Sequence, residues 1–104
     1  MRNIDILPNE DLRMDEQSVL IQRELEDLHL LAAGFENNEM AKIFCVTTST
    51  IKIQLKNIYK KLHAKNRANA VFIGLITGLI SIDRFNKIIH SNRLKEFLTK
   101  NKIK

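Results

Sequence analysis

Four lysines, Lys52, Lys56, Lys60 and Lys61, fall in the single stretch "KIQLKNIYKK", and no acid occurs from residue 47 to residue 67. The chemistry available to them is anion neutralisation, because an ammonium on a flexible stem takes a phosphate oxygen as a point charge. If residues 48–62 form a helix, successive side chains turn by about 100°. Ile51, Leu55, Ile58 and Leu62 then share one narrow arc, and Ile53 lies almost opposite them. Around Ile53 come Ser49, Lys52, Lys56, Asn57 and Lys60, with Thr50 and Lys61 at the flank. A merely solvated helix face usually mixes signs, since Glu and Lys four residues apart support each other. This face carries one sign only.

No other group of residues has the spacing of a reactive site. His29, His63 and His90 are scattered, have no metal-ligand spacing and give Cys45 no catalytic partner. Neither catalysis, a metal nor a cofactor is expected. Cys45 reads as a small core residue in a turn. Being the only cysteine, it cannot form an internal disulfide, which fits a reducing compartment.

The charge is divided along the chain. Residues 1–39 hold ten of the twelve acids and three basic residues, whereas residues 40–104 hold two acids and fourteen basic residues. The second part therefore calls for a polyanionic partner, nucleic acid first and an anionic membrane surface second. The alternative is a charge pattern that only solubilises. The longest apolar run, "AVFIGLITGLI" at residues 70–80, is too short to cross a bilayer, and the N-terminus lacks the apolar stretch of a signal peptide. No membrane insertion and a cytoplasmic location are expected.

With three glycines, one proline and no strand-like alternation, 104 residues predict one all-α domain. Residues 1–17 read as an acidic lead. A first helix is expected over residues 18–33, with Ile21, Leu25, Leu28 and Ala32 on one face and Gly34 ending it. A short helix over residues 36–44 turns Met40, Ile43 and Phe44 inward, with Asn37 as a cap. Thr47 is placed to cap the lysine-bearing helix. Only "CVT" separates the two, and a short helix, a tight turn and a longer basic helix form the outline of a helix-turn-helix. A fourth helix is expected over residues 68–80. Ser81 can cap a further stretch that breaks in two at Ser91 and Asn92.

Four segments in order, "RELEDLHLLAAG", "NNEMAKIF", "TTSTIKIQLKNIYKKL" and "NRANAV", resemble the DNA-binding domain of the LuxR/FixJ/GerE transcription factors. The resemblance spans about residues 20–80. It implies a four-helix bundle whose third helix enters the DNA major groove and whose fourth commonly makes the dimer contact. By position, the groove-facing residues fall on Lys52, Ile53 and Lys56, with Thr50 near the backbone. Six positions depart from the family pattern. Ile21 and Glu36 replace the usual caps of the first two helices, so Ser18 and Asn37 are expected to serve instead. Asn38 replaces a basic residue, Gln54 a histidine and His63 a glycine. Asp27 stands at an apolar position and must be paired or exposed.

Three parts follow: an acidic lead at 1–19, a LuxR-type helix-turn-helix domain at 20–80, and a basic helical C-terminal extension at 81–104. The expected function is sequence-specific binding of double-stranded DNA by a homodimeric transcription regulator. Thr47, Ser49, Thr50, Lys52, Ile53, Lys56, Asn57, Lys60, Lys61 and Arg67 are the expected DNA contacts. The expected dimer contacts are Ala70, Val71, Ile73, Gly74, Leu75 and Ile76. RNA polymerase or a related regulator are further conceivable partners. Nineteen residues before Leu20 are too few for a receiver or sensing domain, so control by phosphorylation or an inducer within this chain is not expected. A second reading uses the same fold to sequester a related regulator through the fourth helix and the extension. A third places the basic terminal helix on a membrane surface.

Overall fold

A computed structural model describes residues 20–101. These form six helices: α1 (Gln22–Ala32), α2 (Asn37–Phe44), α3 (Thr48–Leu62), α4 (Arg67–Thr77), α5 (Ile82–Ile89) and α6 (Asn92–Asn101). The all-α expectation holds among them. The acidic lead, with Ser18 as a cap, lies outside the described residues.

Sequence chemistry accounts for most of the boundaries. The Thr47 hydroxyl accepts from Thr50 N at 3.2 Å and opens α3. Asn66 caps α4 by accepting from Asn69 N at 2.9 Å, and Ser81 caps α5 by accepting from Arg84 N at 3.1 Å. The break at Ser91 also falls where the apolar phase shifts. At the end of α1, Gly34 takes φ 95, and the turn closes with Phe35 N donating to Leu30 O and Gly34 N to Leu31 O. That pairing of the last carbonyls needs a left-handed residue, which glycine supplies without strain.

Two caps differ from expectation. Ile21, at the N-cap of α1, has no side-chain acceptor, so Glu24 reaches back and accepts from Ile21 N at 3.1 Å. At α2 the N-cap is Glu36 and not Asn37, and Glu39 accepts from Glu36 N at 2.8 Å. In both cases the acid one turn inside the helix supplies the reciprocal half of a capping box, satisfying the N–H of the N-cap residue itself. The ends of α2 and α3 are turned by Cys45 and His63, both left-handed at φ 57 without being glycine. Cys45 is exposed there and is not the core residue expected.

Leu28, Leu31, Met40, Ile43, Phe44, Ile51, Leu55, Ile58 and Leu62 form the centre of the core. α1 does not bury the face expected of it: Ile21 and Ala32 are exposed. Its buried residues are Glu24, Asp27, Leu28, His29, Leu30 and Leu31. The reason is its central position, packed against both α3 and α4, which covers more than one stripe. α4 stops at Thr77, short of residue 80, because Gly78 turns left-handed. It passes close to α1 at Gly74, where an added Cβ would lie 3.0 Å from Leu28 Cδ2 and 2.8 Å from Ile80 Cγ1. α5 leaves α4 at a bend of 116°. The extension returns to the same core: Leu94 and Phe97 are buried in it, and the Phe97 ring lies 6.3 Å from that of Phe35. No single helix among the described residues is long and apolar enough to cross a membrane.

Asp27 is neither paired nor exposed. It is fully buried, and neither carboxylate oxygen has a hydrogen-bond partner among the described residues. Burial pushes its pKa up to about 7, against the pull of Arg23 and with the help of Glu26 and Glu24. The Arg23 guanidinium lies 3.9 Å over the Phe44 ring instead. His29 is buried two residues on. Its Nδ1–H donates to Leu25 O at 2.7 Å and its Nε2 accepts from Ser81 N at 3.2 Å, which defines a neutral tautomer joining α1 to the start of α5. Burial, then Arg84 nearby, hold its pKa below the usual value.

Because Asp27 binds its proton more tightly folded than unfolded, its stabilising contribution is complete below about pH 4 and is lost as pH rises to about 7. Asp27→Leu is therefore expected to raise stability most above pH 7. There it removes an ionisation penalty on the order of 4 kcal/mol. The gain should shrink steadily towards pH 4, as read by urea denaturation of variant and parent at each pH.

Candidate nucleic-acid interface

The buried side of α3 comprises Ile51, Leu55, Ile58 and Leu62, seated against α1, α2 and α4. With that stripe held, the opposite face stands wholly in solvent. Ser49, Lys52, Lys56, Asn57 and Lys60 are exposed, Ile53 is 61% exposed, and Thr50 is partly exposed. The first turn of α3 contains no acid, and its free N–H groups and positive dipole end favour an anion there. Thr47 Oγ1 also lies 3.2 Å from Thr50 Oγ1, so these two hydroxyls engage each other at the helix start. Chemically the face can neutralise phosphates along its length and offer one apolar contact in its middle.

Two of the expected contacts have other work inside the protein. Lys61 donates from Nζ to Glu24 Oε1 at 2.9 Å, with the Glu24 side chain only 6% exposed. One carboxylate oxygen thus accepts from the N-cap backbone of α1 and from the end of α3. Arg67 donates to Phe35 O at 3.1 Å and to Asn37 Oδ1 at 3.0 Å, tying the start of α4 to the start of α2. Wheel positions at the flank of α3 gave no sign of the first pairing. A buried acid on α1 needs a cation, and that rule points to it only once Glu24 is known to face inward.

The expected dimer residues divide in the same way. Ala70 and Gly74 are buried within the chain itself, and Val71 and Ile73 are partly covered. Leu75 and Ile76 are 57% and 51% exposed, and Phe72, absent from the expected set, is 58% exposed beside them. Leu75 also borders an apolar groove of about 330 Å³ that includes Ala32, Ile80, Ile82 and Phe85. No three His, Cys, Asp or Glu side chains among the described residues come together to hold a metal ion.

The luxR family of bacterial regulatory proteins matches residues 18–73, from just before α1 into α4. The chain belongs to that family. It is a family of regulators and not of enzymes. Among curated relatives, the nitrate/nitrite response regulator protein NarP of Escherichia coli is 36% identical over 61 residues, 59% of this chain and 28% of that protein. The CsgBAC operon transcriptional regulatory protein of Escherichia coli is 41% identical over 56 residues, 54% of this chain and 26% of the other. The response regulator protein VraR of Staphylococcus aureus is 35% identical over 68 residues, 65% of this chain and 32% of the other. The chain thus spans no more than about a third of the length of these relatives. No solved structure matches it significantly.

The two neighbouring lysines at the end of α3 are expected to behave differently. Lys61→Ala leaves the buried Glu24 carboxylate without its cation, held only by Ile21 N, and should cost about 1–3 kcal/mol in stability. Lys60→Ala, at an exposed site, should change stability by no more than about 0.5 kcal/mol. Thermal melts of the two variants beside the parent check this.

Proposed function

We propose that this luxR-family chain is a sequence-specific regulator of transcription that binds double-stranded DNA as a dimer, with α3 in the major groove. The observation that carries the reading is the exposed face of α3: Lys52, Lys56 and Lys60 without an acid, and Ile53 standing out among them. Phosphate contacts position a protein on the duplex and base contacts specify the site. In this reading Lys60 and the threonine-capped helix start take phosphates, while Ile53 meets a thymine methyl and Lys52 and Lys56 reach base edges. Ser49 and Asn57 border the same surface. Lys61 and Arg67 act indirectly, by holding α3 and α4 in place.

The dimer rests on the exposed apolar face of α4, where Phe72, Leu75 and Ile76 lie together. Two-fold pairing sets reading helices about 34 Å apart, so an inverted-repeat site is expected. The same face would also serve a related regulator as partner, and that is the alternative the oligomer measurement separates.

A site selected from random duplexes should be bound with strong salt dependence. Lys60→Ala should flatten the salt slope by about one unit on every sequence. Ile53→Ala should leave that slope intact and cost on the order of 1 kcal/mol at one or two base pairs. If Ile53→Ala binds every sequence as the parent does, its base-reading role is lost. In sedimentation, the parent should pair on DNA and Leu75→Glu should not. A parent that stays monomeric at high concentration and on DNA sinks the homodimer and leaves the partner-regulator alternative.

A further inference from the structure

A second gathering of cations lies away from the outer face of α3. α6 runs back along α2: Leu94 lines a small cavity with Ile43 and Phe44 at the C-terminal end of α2, and Phe97 meets Phe35 just before its N-terminus. Between the two helices opens a cleft of about 700 Å³, lined by Lys42 and Cys45 on one side and by Lys95, Thr99 and Lys100 on the other. Glu96 also borders it and leaves three cations against one acid. Lys42, Lys95 and Lys100 are exposed, and among the described residues none pairs with a carboxylate.

We propose that this cleft is a second phosphate-contacting surface, through which α6 grips the DNA backbone beside the groove that α3 reads. The inference rests on the DNA-binding reading of α3 and extends it to a helix outside the family match, which ends at residue 73. Position is the first support. Cys45 in the cleft lies two residues before the cap Thr47, so the cleft opens at the acid-free, positive end of α3. A strand of duplex that meets that helix end continues past the cleft. Charge is the second support. α2 carries Lys42 as its one basic residue, with the uncharged Asn38 a turn earlier, and α6 brings Lys95 and Lys100 to the same side. Rigidity is the third. Leu94 and Phe97 are buried in the core, so the lysines of α6 extend from an anchored backbone, which suits backbone positioning.

The test is a salt titration of the full chain on its selected duplex, following binding by fluorescence anisotropy. Lys95→Ala and Lys100→Ala should each lower the salt slope by about 0.9 unit, the value for one phosphate contact. The double variant should bind about tenfold or more weakly at the lowest salt. Lys87→Ala on α5 makes the same charge change outside the cleft and should leave the slope alone. Circular dichroism melts are expected to superimpose, since all three side chains are exposed. Slopes of the α6 variants equal to the parent, or an equal loss from Lys87→Ala, would overturn the proposal. A parent that binds no duplex at all would instead remove the reading of α3 on which the proposal stands.

Discussion

The orientation of the lysine-bearing face depends on the seating of α3 by four side chains. Ile51, Leu55, Ile58 and Leu62 are the buried residues of a 15-residue helix, and they fall in one narrow arc. Each contributes about 1.5–3 kcal/mol by leaving water, so together they rival the whole net stability of a small domain. The helix has no alternative rotation that keeps them covered. Its outer face is therefore presented in one orientation, and the lysines on it need no contacts of their own to be aimed.

The supports around α3 are less regular, because α1 carries polar groups into the interior. Glu24, Asp27 and His29 meet that situation in three ways. Glu24 is satisfied twice, by a backbone N–H and by Lys61. His29 is satisfied at both nitrogens by remaining neutral. Asp27 finds no partner among the described residues, and protonation is its remaining means of shedding charge. A helix with an apolar residue at position 27 would be more stable; the structure does not explain why an aspartate stands there.

α3 was legible in the sequence down to its cap, since a single stripe and a single sign of charge settle its phase. The break between α5 and α6 was legible for a similar reason, a shift of apolar phase at Ser91. α1 is not, because its position between α3 and α4 buries two flanks, whereas a single apolar stripe would include Ile21 and Ala32, which are exposed. Cys45 departs from the usual burial of a small thiol because backbone geometry places it, exposed, at a left-handed turn. Of the surface residues, Lys61 and Arg67 looked like their neighbours until their internal acceptors were seen. Local periodicity carries no information about a partner 37 or 32 residues away.

Asp27 and His29 together give unfolding an unusual proton balance. In the folded interior one is a neutral acid and the other a neutral base, whereas in water at mildly acidic pH the first loses its proton and the second gains one. Above the depressed pKa of His29 and well below about 6.5, denaturation thus hands a proton from one side chain to the other and exchanges little with the buffer on their account. Calorimetric enthalpies in that range should carry little buffer-ionisation contribution from this pair. Towards neutrality, as unfolded His29 loses its proton while folded Asp27 still holds part of its own, the same unfolding discharges a fraction of a proton to the buffer.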